Sequence, residues 1–109
     1  MAEPGDVVTV NFPGALGVKR RPAVVISTDT YHKTRPDVIL ALLTSRVAGA
    51  TAPTDYLLQD WSTAGLNSPS AFRAFLATLP ATNIVVIGRL SDRDWRAVQA
   101  RLRIALAVM

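Results

Sequence analysis

Residues 18–27 read VKRRPAVVIS, and the fold of the first half of the chain is decided here. The apolar, largely β-branched run after Pro22 predicts a strand over residues 23–27. A proline suits the first position of a strand, where the backbone need not donate a hydrogen bond to a neighbouring strand. Three cations stand directly before it, namely Lys19, Arg20 and Arg21. Positive charge is therefore concentrated at the mouth of a core strand, where it is either solvated or in contact with a polyanion.

Strands are also predicted on both sides of this stretch. Residues 6–12, DVVTVNF, alternate apolar and polar side chains, as a half-buried strand does. Residues 37–44, DVILALLT, are apolar on both faces and predict a central strand. Residues 14–21 and the polar residues 28–36 predict the connecting loops. Three more short strands are predicted over residues 55–58, 71–79 and 83–90. In the last of these, Gly88 predicts a bulge or a close backbone approach.

A helical pattern follows the strands. Ser91 with Asp92 and Asp94 predicts a helix start, because a hydroxyl can cap the helix and carboxylates favour its first turn. Apolar residues then recur at helical spacing, at Trp95, Val98, Leu102 and Leu106. Short strands followed by one helix predict a mainly β fold with a C-terminal helix, built as a strongly curved sheet or small barrel. Residues 1–109 have the length of a single domain.

The composition indicates what kind of protein this is and which partners to expect. Half of the residues are hydrophobic and 18% are charged, so we expect a second subunit to cover part of the apolar surface. The chain has no cysteine and a single histidine, His32, which predicts no metal site and no cofactor. Without a signal peptide or a membrane-spanning run, we expect a soluble cytoplasmic protein. The net charge of +4, with ten of the twelve cations being arginine, points toward nucleic acid.

The familiar catalytic motifs are missing from the sequence. It has no phosphate-binding glycine loop, no nucleophile elbow and no carboxylate pair at an informative spacing. Polar residues remain at the strand ends, with Arg21 opening the second strand and Thr44 and Ser45 closing the third. If these two strands form an antiparallel hairpin, Arg21 and Thr44 become neighbours. An arginine with a nearby hydroxyl can bind a phosphodiester, although a solvated arginine beside an ordinary strand end is the alternative.

Several short segments carry a resemblance when they are taken together. GDVVTVNFP, RRPAVVIS, LLTS, AGLNSPSAFR with LATLP, and IGRLS before a helix follow one another from Gly5 to the C-terminal helix. In this order and spacing they resemble the MazF/PemK family of toxins from type II toxin–antitoxin systems. The resemblance implies an SH3-like barrel that forms a homodimer and is neutralised by a cognate antitoxin. It also implies a metal-independent endoribonuclease that cleaves single-stranded RNA by 2′-hydroxyl attack, leaving a 2′,3′-cyclic phosphate.

The resemblance also assigns residues to this activity. It places catalytic roles on Arg21, Thr44 and Arg73, of which the first two are the pair that the hairpin argument joins. Ser45 follows the family's threonine, and Ser70 matches its turn serine, so both are expected to contact RNA.

Other candidate RNA contacts come from residue type and position. Lys19 and Arg20 are expected to hold the phosphate backbone, with binding that weakens as salt rises. Tyr31 is a candidate platform for stacking a base. His32, the one group that ordinarily titrates near neutrality, is a candidate general base or a surface loop histidine.

Two departures from the family pattern leave other functions open. Phe75 stands where relatives often have an aspartate, and Leu16 lies near the place of a glutamate. The protein could therefore be a barrel that binds RNA or an antitoxin and cleaves weakly. A second alternative is a CcdB-like toxin, which shares the barrel but acts on a protein target, gyrase.

Overall fold

The computed structural model describes residues 2–14 and 17–108. Six strands form one antiparallel sheet in the order β4-β5-β3-β2-β1-β6. The strands are β1 (Asp6–Gly14), β2 (Gly17–Val25), β3 (Asp37–Thr44), β4 (Tyr56–Leu57), β5 (Ala71–Pro80) and β6 (Ile84–Arg89). The helices are α1 (Asp29–Thr34) and α2 (Asp92–Ala105), with 3₁₀ turns at Val47–Gly49 and Ala81–Asn83. The prediction of a mainly β fold with a C-terminal helix is confirmed, and β3 has the predicted bounds.

Strand β2 differs most from its prediction. It begins at Gly17 and not at residue 23, so the three cations lie within the strand. The loop predicted over residues 14–21 is wrong at residues 14 and 17–21, and residues 15 and 16 lie outside the described residues. The reason is the long pairing with β1, which runs from Val7 opposite Val24 to Gly14 opposite Gly17. The pairing with β1 therefore carries β2 through a stretch whose composition is typical of a loop.

The predicted polar loop over residues 28–36 is also wrong, because it contains helix α1. The hydroxyl of Thr28 accepts a hydrogen bond from the backbone N–H of Tyr31, at 3.4 Å, and so caps the first turn. Asp29 adds a carboxylate there, where the helix dipole favours it. No residue of α1 is buried, so the helix has no apolar stripe by which periodicity could reveal it.

Pro22 lies inside β2 and ends its pairing with β3. The N–H of Ile26 donates to the carbonyl of Ile39, at 3.0 Å, so the even-numbered residues of β2 point their backbone groups toward β3. Position 22 would donate in the same direction, but a proline has no N–H. The β2–β3 pairing accordingly stops at Ala23 opposite Leu42. Beyond that pair the two strands separate.

The sheet curls until a turn near one edge reaches the strand at the other edge. Gly65 has a φ of +90°, and together with Ala64 it packs against the backbone of β6 at Ile87 and Gly88. Strand β6 bulges here, since Val7 and Val8 of β1 pair with Gly88 and Val86. A Cβ at position 88 would collide with the carbonyl oxygen of Ala64. The prediction that Gly88 marks a bulge or a close approach is confirmed in both respects.

Two groups of buried side chains form the core. One includes Val7, Val24, Phe72 and Val98, with Trp95 packed against it, and it joins the sheet to α2. The other is formed by strands β1, β2 and β3 and includes Leu40. Within the described residues, neither helix is long and apolar enough to cross a membrane.

A buried carboxylate fastens α2 to the chain that follows β4. Asp94 is fully buried and accepts three hydrogen bonds, from the Tyr56 hydroxyl at 2.7 Å and from the backbone N–H groups of Gln59 and Asp60 at 3.0 and 2.8 Å. Its own N–H donates to Ser91, the helix cap, as the sequence pattern predicts. A buried charge needs such partners to be stable. Asp94 therefore fixes where the segment after β4 leaves the sheet.

Asp60 makes a second tie to the same helix end. Its carboxylate accepts hydrogen bonds from the Arg93 guanidinium, at 2.9 and 3.0 Å, and from the Ser91 hydroxyl at 2.6 Å. These donors hold the pKa of the Asp60 carboxyl below its usual range.

The pH dependence of folding is expected to report this junction. Burial and the hydrogen bond to Asp94 raise the pKa of the Tyr56 hydroxyl from 10.0 to about 12. Because the folded-state pKa is the higher one, the stabilisation is complete below pH 10 and is lost as the pH rises from 10 to 12. Tyr56→Phe should remove this loss and also lower the free energy of unfolding near pH 7 by about 2 kcal/mol. Denaturant unfolding at several pH values measures both effects.

Tyr31→Phe, at the chain's other tyrosine, serves as the control and should behave like the wild type. An equal decline of the wild type and Tyr56→Phe above pH 10 would contradict the role given to the Tyr56 hydroxyl.

The close approach at Gly88 gives a second prediction. Gly88→Ala should lower the free energy of unfolding by about 2–3 kcal/mol, because the new methyl group would force the turn away from β6. Gly49→Ala is the matched control, since a Cβ there meets nothing within 4 Å. Thermal or denaturant unfolding of both variants makes the comparison. Similar stabilities would show that the approach is not tight.

Candidate RNA-binding cleft

A cleft of about 660 Å³ opens where β2 and β3 separate. Residues 19–22 of β2 form one wall, and residues 43–46, at the end of β3 and just beyond it, form the next. The turn before β5 supplies a third wall with residues 65–68 and Ser70. Thr9 of β1 and Ile87 of β6 also contribute. The cleft thus exists because Pro22 ends the β2–β3 pairing and because the curl of the sheet brings the turn before β5 close to both strands.

The charge of the cleft is entirely positive among its described lining residues. Four cations line it, namely Lys19, Arg20, Arg21 and Arg46, and no carboxylate does. None of the four forms an ion pair in the described structure. Arg20 donates a hydrogen bond to the Asn11 side-chain oxygen at 3.3 Å. Cations without carboxylate partners, gathered on one concave surface, attract polyanions.

Hydroxyl groups stand between these cations. The Thr44 oxygen accepts a hydrogen bond from the backbone N–H of Arg46, at 3.1 Å, which leaves its hydroxyl proton available to a ligand. Ser70 is buried and donates to the carbonyl of Ser68 at 2.9 Å, so it shapes the turn. Ser45 also lines the cleft. The cleft therefore offers charges and at least one free hydroxyl proton to an anionic ligand.

The structure brings six of the residues proposed from sequence into this one cleft. They are Lys19, Arg20, Arg21, Thr44, Ser45 and Ser70. The antiparallel β2–β3 pairing expected of the hairpin is present. A register continued two residues past Ala23 and Leu42 would pair Arg21 with Thr44; the strands separate before that point, and both residues line the cleft that opens there.

Arg73 does not line the cleft. Residues 73–75 bulge out of β5 opposite Leu42, and Ala74 has a φ of +51°. The Arg73 guanidinium lies 4.0 Å from the carboxylate of Asp55, which also accepts from the backbone N–H of Ala52 at 2.9 Å. Phe75, one of the two departures from the family pattern, has 58% of its surface exposed. A carboxylate therefore accompanies Arg73, but it comes from the chain just before β4.

Tyr31 and His32 also lie apart from the cleft lining, on helix α1. The His32 Nε2 atom is 2.5 Å from the Ser27 hydroxyl, which in turn accepts from the N–H of Ile39 at 3.0 Å. His32 lines a different cavity of about 430 Å³, together with Arg35. Leu16, the other departure from the family pattern, lies outside the described residues.

The cleft also contains residues that the sequence reasoning did not select. Arg46 follows the Thr44–Ser45 pair directly and lies one residue beyond the strand end at which the sequence predicts site residues. Asn67 and Ser68 lie in the GLNSPS stretch, in which the resemblance assigns a role only to Ser70. Thr9 and Ile87 come from β1 and β6, and only the three-dimensional closure of the sheet brings them here.

The part of the chain that the structure describes contains no candidate metal centre. Among residues 2–14 and 17–108, no group of three or more His, Asp or Glu side chains is arranged to hold a metal ion.

Sequence comparison identifies the family. The family described as "PemK-like, MazF-like toxin of type II toxin-antitoxin system" matches residues 3–106. The chain belongs to this family. No curated protein sequence matches it.

Solved structures share the fold of this MazF/PemK-family chain. An endoribonuclease from a Mycobacterial species, solved in complex with its cognate antitoxin, has a TM-score of 0.78 at 17% identity; the match covers 100% of this chain and 98% of that one. MazF in a MazE–MazF crystal from Deinococcus radiodurans has a TM-score of 0.76 at 21% identity, over 99% and 98% of the two chains. The Mycobacterium tuberculosis toxin MazF-mt6 has a TM-score of 0.73 at 20% identity, over 92% and 94%. These likenesses confirm the fold expected from the sequence.

Proposed function

We propose that this protein is an endoribonuclease toxin that cleaves single-stranded RNA in the cleft between β2 and β3 without a metal ion. The observation that carries the proposal is the cleft lining, where Arg21 and Thr44 share a surface with three further cations and no described carboxylate. Membership of the MazF/PemK toxin family supports it. So does the endoribonuclease among the proteins of the same fold.

The reaction that suits such a cleft uses the RNA's own nucleophile. The 2′-hydroxyl oxygen attacks the adjacent phosphorus, the bond to the 5′-oxygen breaks, and the products are a 2′,3′-cyclic phosphate and a 5′-hydroxyl end. The proton leaves the 2′-oxygen for water, and the departing 5′-oxygen takes one from water. The protein need only hold the phosphate and stabilise the negative charge that develops on it.

Arg21 and Thr44 fit these two roles. The Arg21 guanidinium presents paired donors to the phosphate oxygens, and because it carries no acceptor it stabilises charge and does not take up a proton. The Thr44 hydroxyl can donate to the same phosphate, because its oxygen already accepts from Arg46. Lys19, Arg20 and Arg46 then hold the neighbouring phosphates. Four cations supply the charge neutralisation for which other nucleases use metal ions.

The proposal includes a homodimer and a cognate antitoxin. Strand β6 is the edge of the sheet, yet Val85, Val86 and Ile87 are 52%, 49% and 38% exposed. Apolar edge strands left uncovered promote aggregation, so a second copy of this chain is proposed to cover β6. The antitoxin is proposed to block the positively charged cleft, as befits a chain whose structural neighbours include a toxin solved with its cognate antitoxin.

Removal of the Arg21 guanidinium tests the phosphate-binding role. Arg21→Ala should abolish cleavage of a long unstructured RNA in excess EDTA, while the thermal midpoint stays nearly unchanged, because the side chain has no partner in the described structure. Arg96→Ala, which removes the same charge from the exposed side of α2, is the matched control and should cleave like the wild type. Mapping the fragment ends should show discrete cuts that end in cyclic phosphate.

The outcomes of that experiment separate the candidate functions. Cleavage that disappears in EDTA would contradict metal independence, and unaltered cleavage by Arg21→Ala would place the chemistry elsewhere. Intact RNA that still binds the wild type would favour the weakly cleaving RNA-binding barrel, which the exposed Phe75 in place of a carboxylate supports. Intact RNA without binding would direct the search to a protein target, as in the CcdB-like toxins.

The Thr44 hydroxyl gives a separate prediction. Thr44→Val keeps the shape of the side chain but removes its donor, so kcat should fall by roughly one to two orders of magnitude while RNA affinity changes little. Thr51→Val, at an exposed position outside the cleft lining, is the control. Single-turnover cleavage and equilibrium binding of a short RNA distinguish the two effects. Equal losses in rate and affinity would argue against a role confined to the transition state.

A further inference from the structure

We propose that Asn67 reads the edge of one RNA base beside the cleaved bond, and that the base it selects is adenine. The proposal rests on the function proposed above and deepens it, because it assigns sequence selectivity to a residue of the same cleft.

Asn67 is chemically distinct within the cleft. It is the only side-chain amide among the described lining residues, whose other polar side chains are cations and hydroxyls. The side chain is exposed, and none of the hydrogen bonds found in the described structure uses it. An unengaged amide that shares the cleft with four cations is available to the base of a nucleotide whose phosphate is held by Arg21.

The backbone on both sides of Asn67 is fixed. Leu66 is buried, and its N–H donates to the carbonyl of Trp61 at 3.2 Å. Gly65 is pressed against β6, where a Cβ would collide with the carbonyl of Ile87. On the other side, the hydroxyl of buried Ser70 donates to the carbonyl of Ser68 at 2.9 Å. A reading group held on so constrained a turn can discriminate between bases, whereas one on a loose loop adapts to each of them.

At the purine edge that carries N7, the chemistry of the amide favours adenine over guanine. The carboxamide of Asn67 has one acceptor and two donor hydrogens, so it can accept from the adenine N6 amino group while it donates to N7. The corresponding edge of guanine carries two acceptors, N7 and O6, and cannot be matched in this way. The four cations of the cleft grip phosphates and do not distinguish sequences.

A binding selection that needs no cleavage tests the assignment. A randomised pool of 2′-O-methyl hexanucleotides cannot be cut, because its 2′-oxygens are blocked, and sequencing the bound fraction gives the preference at each position. The wild type should enrich adenine roughly tenfold at one position. Asn67→Ala should bring that preference close to unity while leaving the preferences at other positions unchanged.

A second substitution changes the donor and acceptor pattern at position 67 and not the presence of a polar side chain. Asn67→Asp replaces the donor of the amide by a second acceptor, which cannot donate to adenine N7, so this variant should lose most of the adenine preference. Asn83→Ala, at an asparagine outside the cleft lining, is the matched control and should keep the wild-type profile. Unchanged thermal midpoints would establish that the variants are folded.

The outcomes distinguish this inference from the proposed function. An adenine preference that survives in Asn67→Ala, or no preference in the wild type, would overturn the role of Asn67. A wild type that enriches adenine through Asn67 but leaves ordinary RNA intact would support the reading role and overturn the endoribonuclease proposal. Cleavage sites of the wild type and Asn67→Ala on natural RNA should differ at the same position.

Discussion

A proline cannot donate a backbone hydrogen bond, and Pro22 stands at the position of β2 whose N–H would face β3. The ladder between these strands ends at Ala23 and Leu42, and the chain on either side of that break forms two walls of the cleft. Had the ladder continued, Arg21 and Thr44 would have been the paired ends of an ordinary sheet. One missing donor thus turns a strand junction into a concave surface, and the three cations ahead of the proline give that surface its charge.

The sequence was most informative where strand order alone decides proximity. Apolar patterns predict β3 and the C-terminal helix, and the predicted antiparallel hairpin places Arg21 and Thr44 at the same end of two neighbouring strands, where both line the cleft. Prediction from the sequence failed where tertiary pairing overrode composition, as in the stretch of β2 from Gly17 to Arg21, and where helix α1 had no buried face to leave a pattern. The placement of Arg73 beside Asp55 was also beyond the sequence, because a bulge of β5 breaks the regular alternation of side chains.

The third wall of the cleft shows why part of a site cannot be predicted from local sequence patterns. Its turn is positioned from a distance, by Asp94 holding Gln59 and Asp60 at one end and by the contact of Gly65 with β6 at the other. The sequence predicts Asp94 as a carboxylate of the first helical turn, and the structure agrees. The three hydrogen bonds that Asp94 accepts nevertheless come from residues 34 to 38 positions away in the sequence. Such contacts depend on the completed fold, and a sequence window of one element does not contain them.

With no carboxylate among the described lining residues, no acidic side chain in that lining offsets the positive charge of the cleft in the free protein. Four like charges on a surface of this size repel one another, and the fold must bear that repulsion whenever nothing is bound. A polyanion in the cleft relieves it, so RNA, an acidic partner segment or even inorganic polyphosphate should act as a stabilising ligand of the folded state. Binding of such a ligand and folding of the protein are therefore thermodynamically coupled. The free protein should unfold more readily than the protein with a polyanion in its cleft.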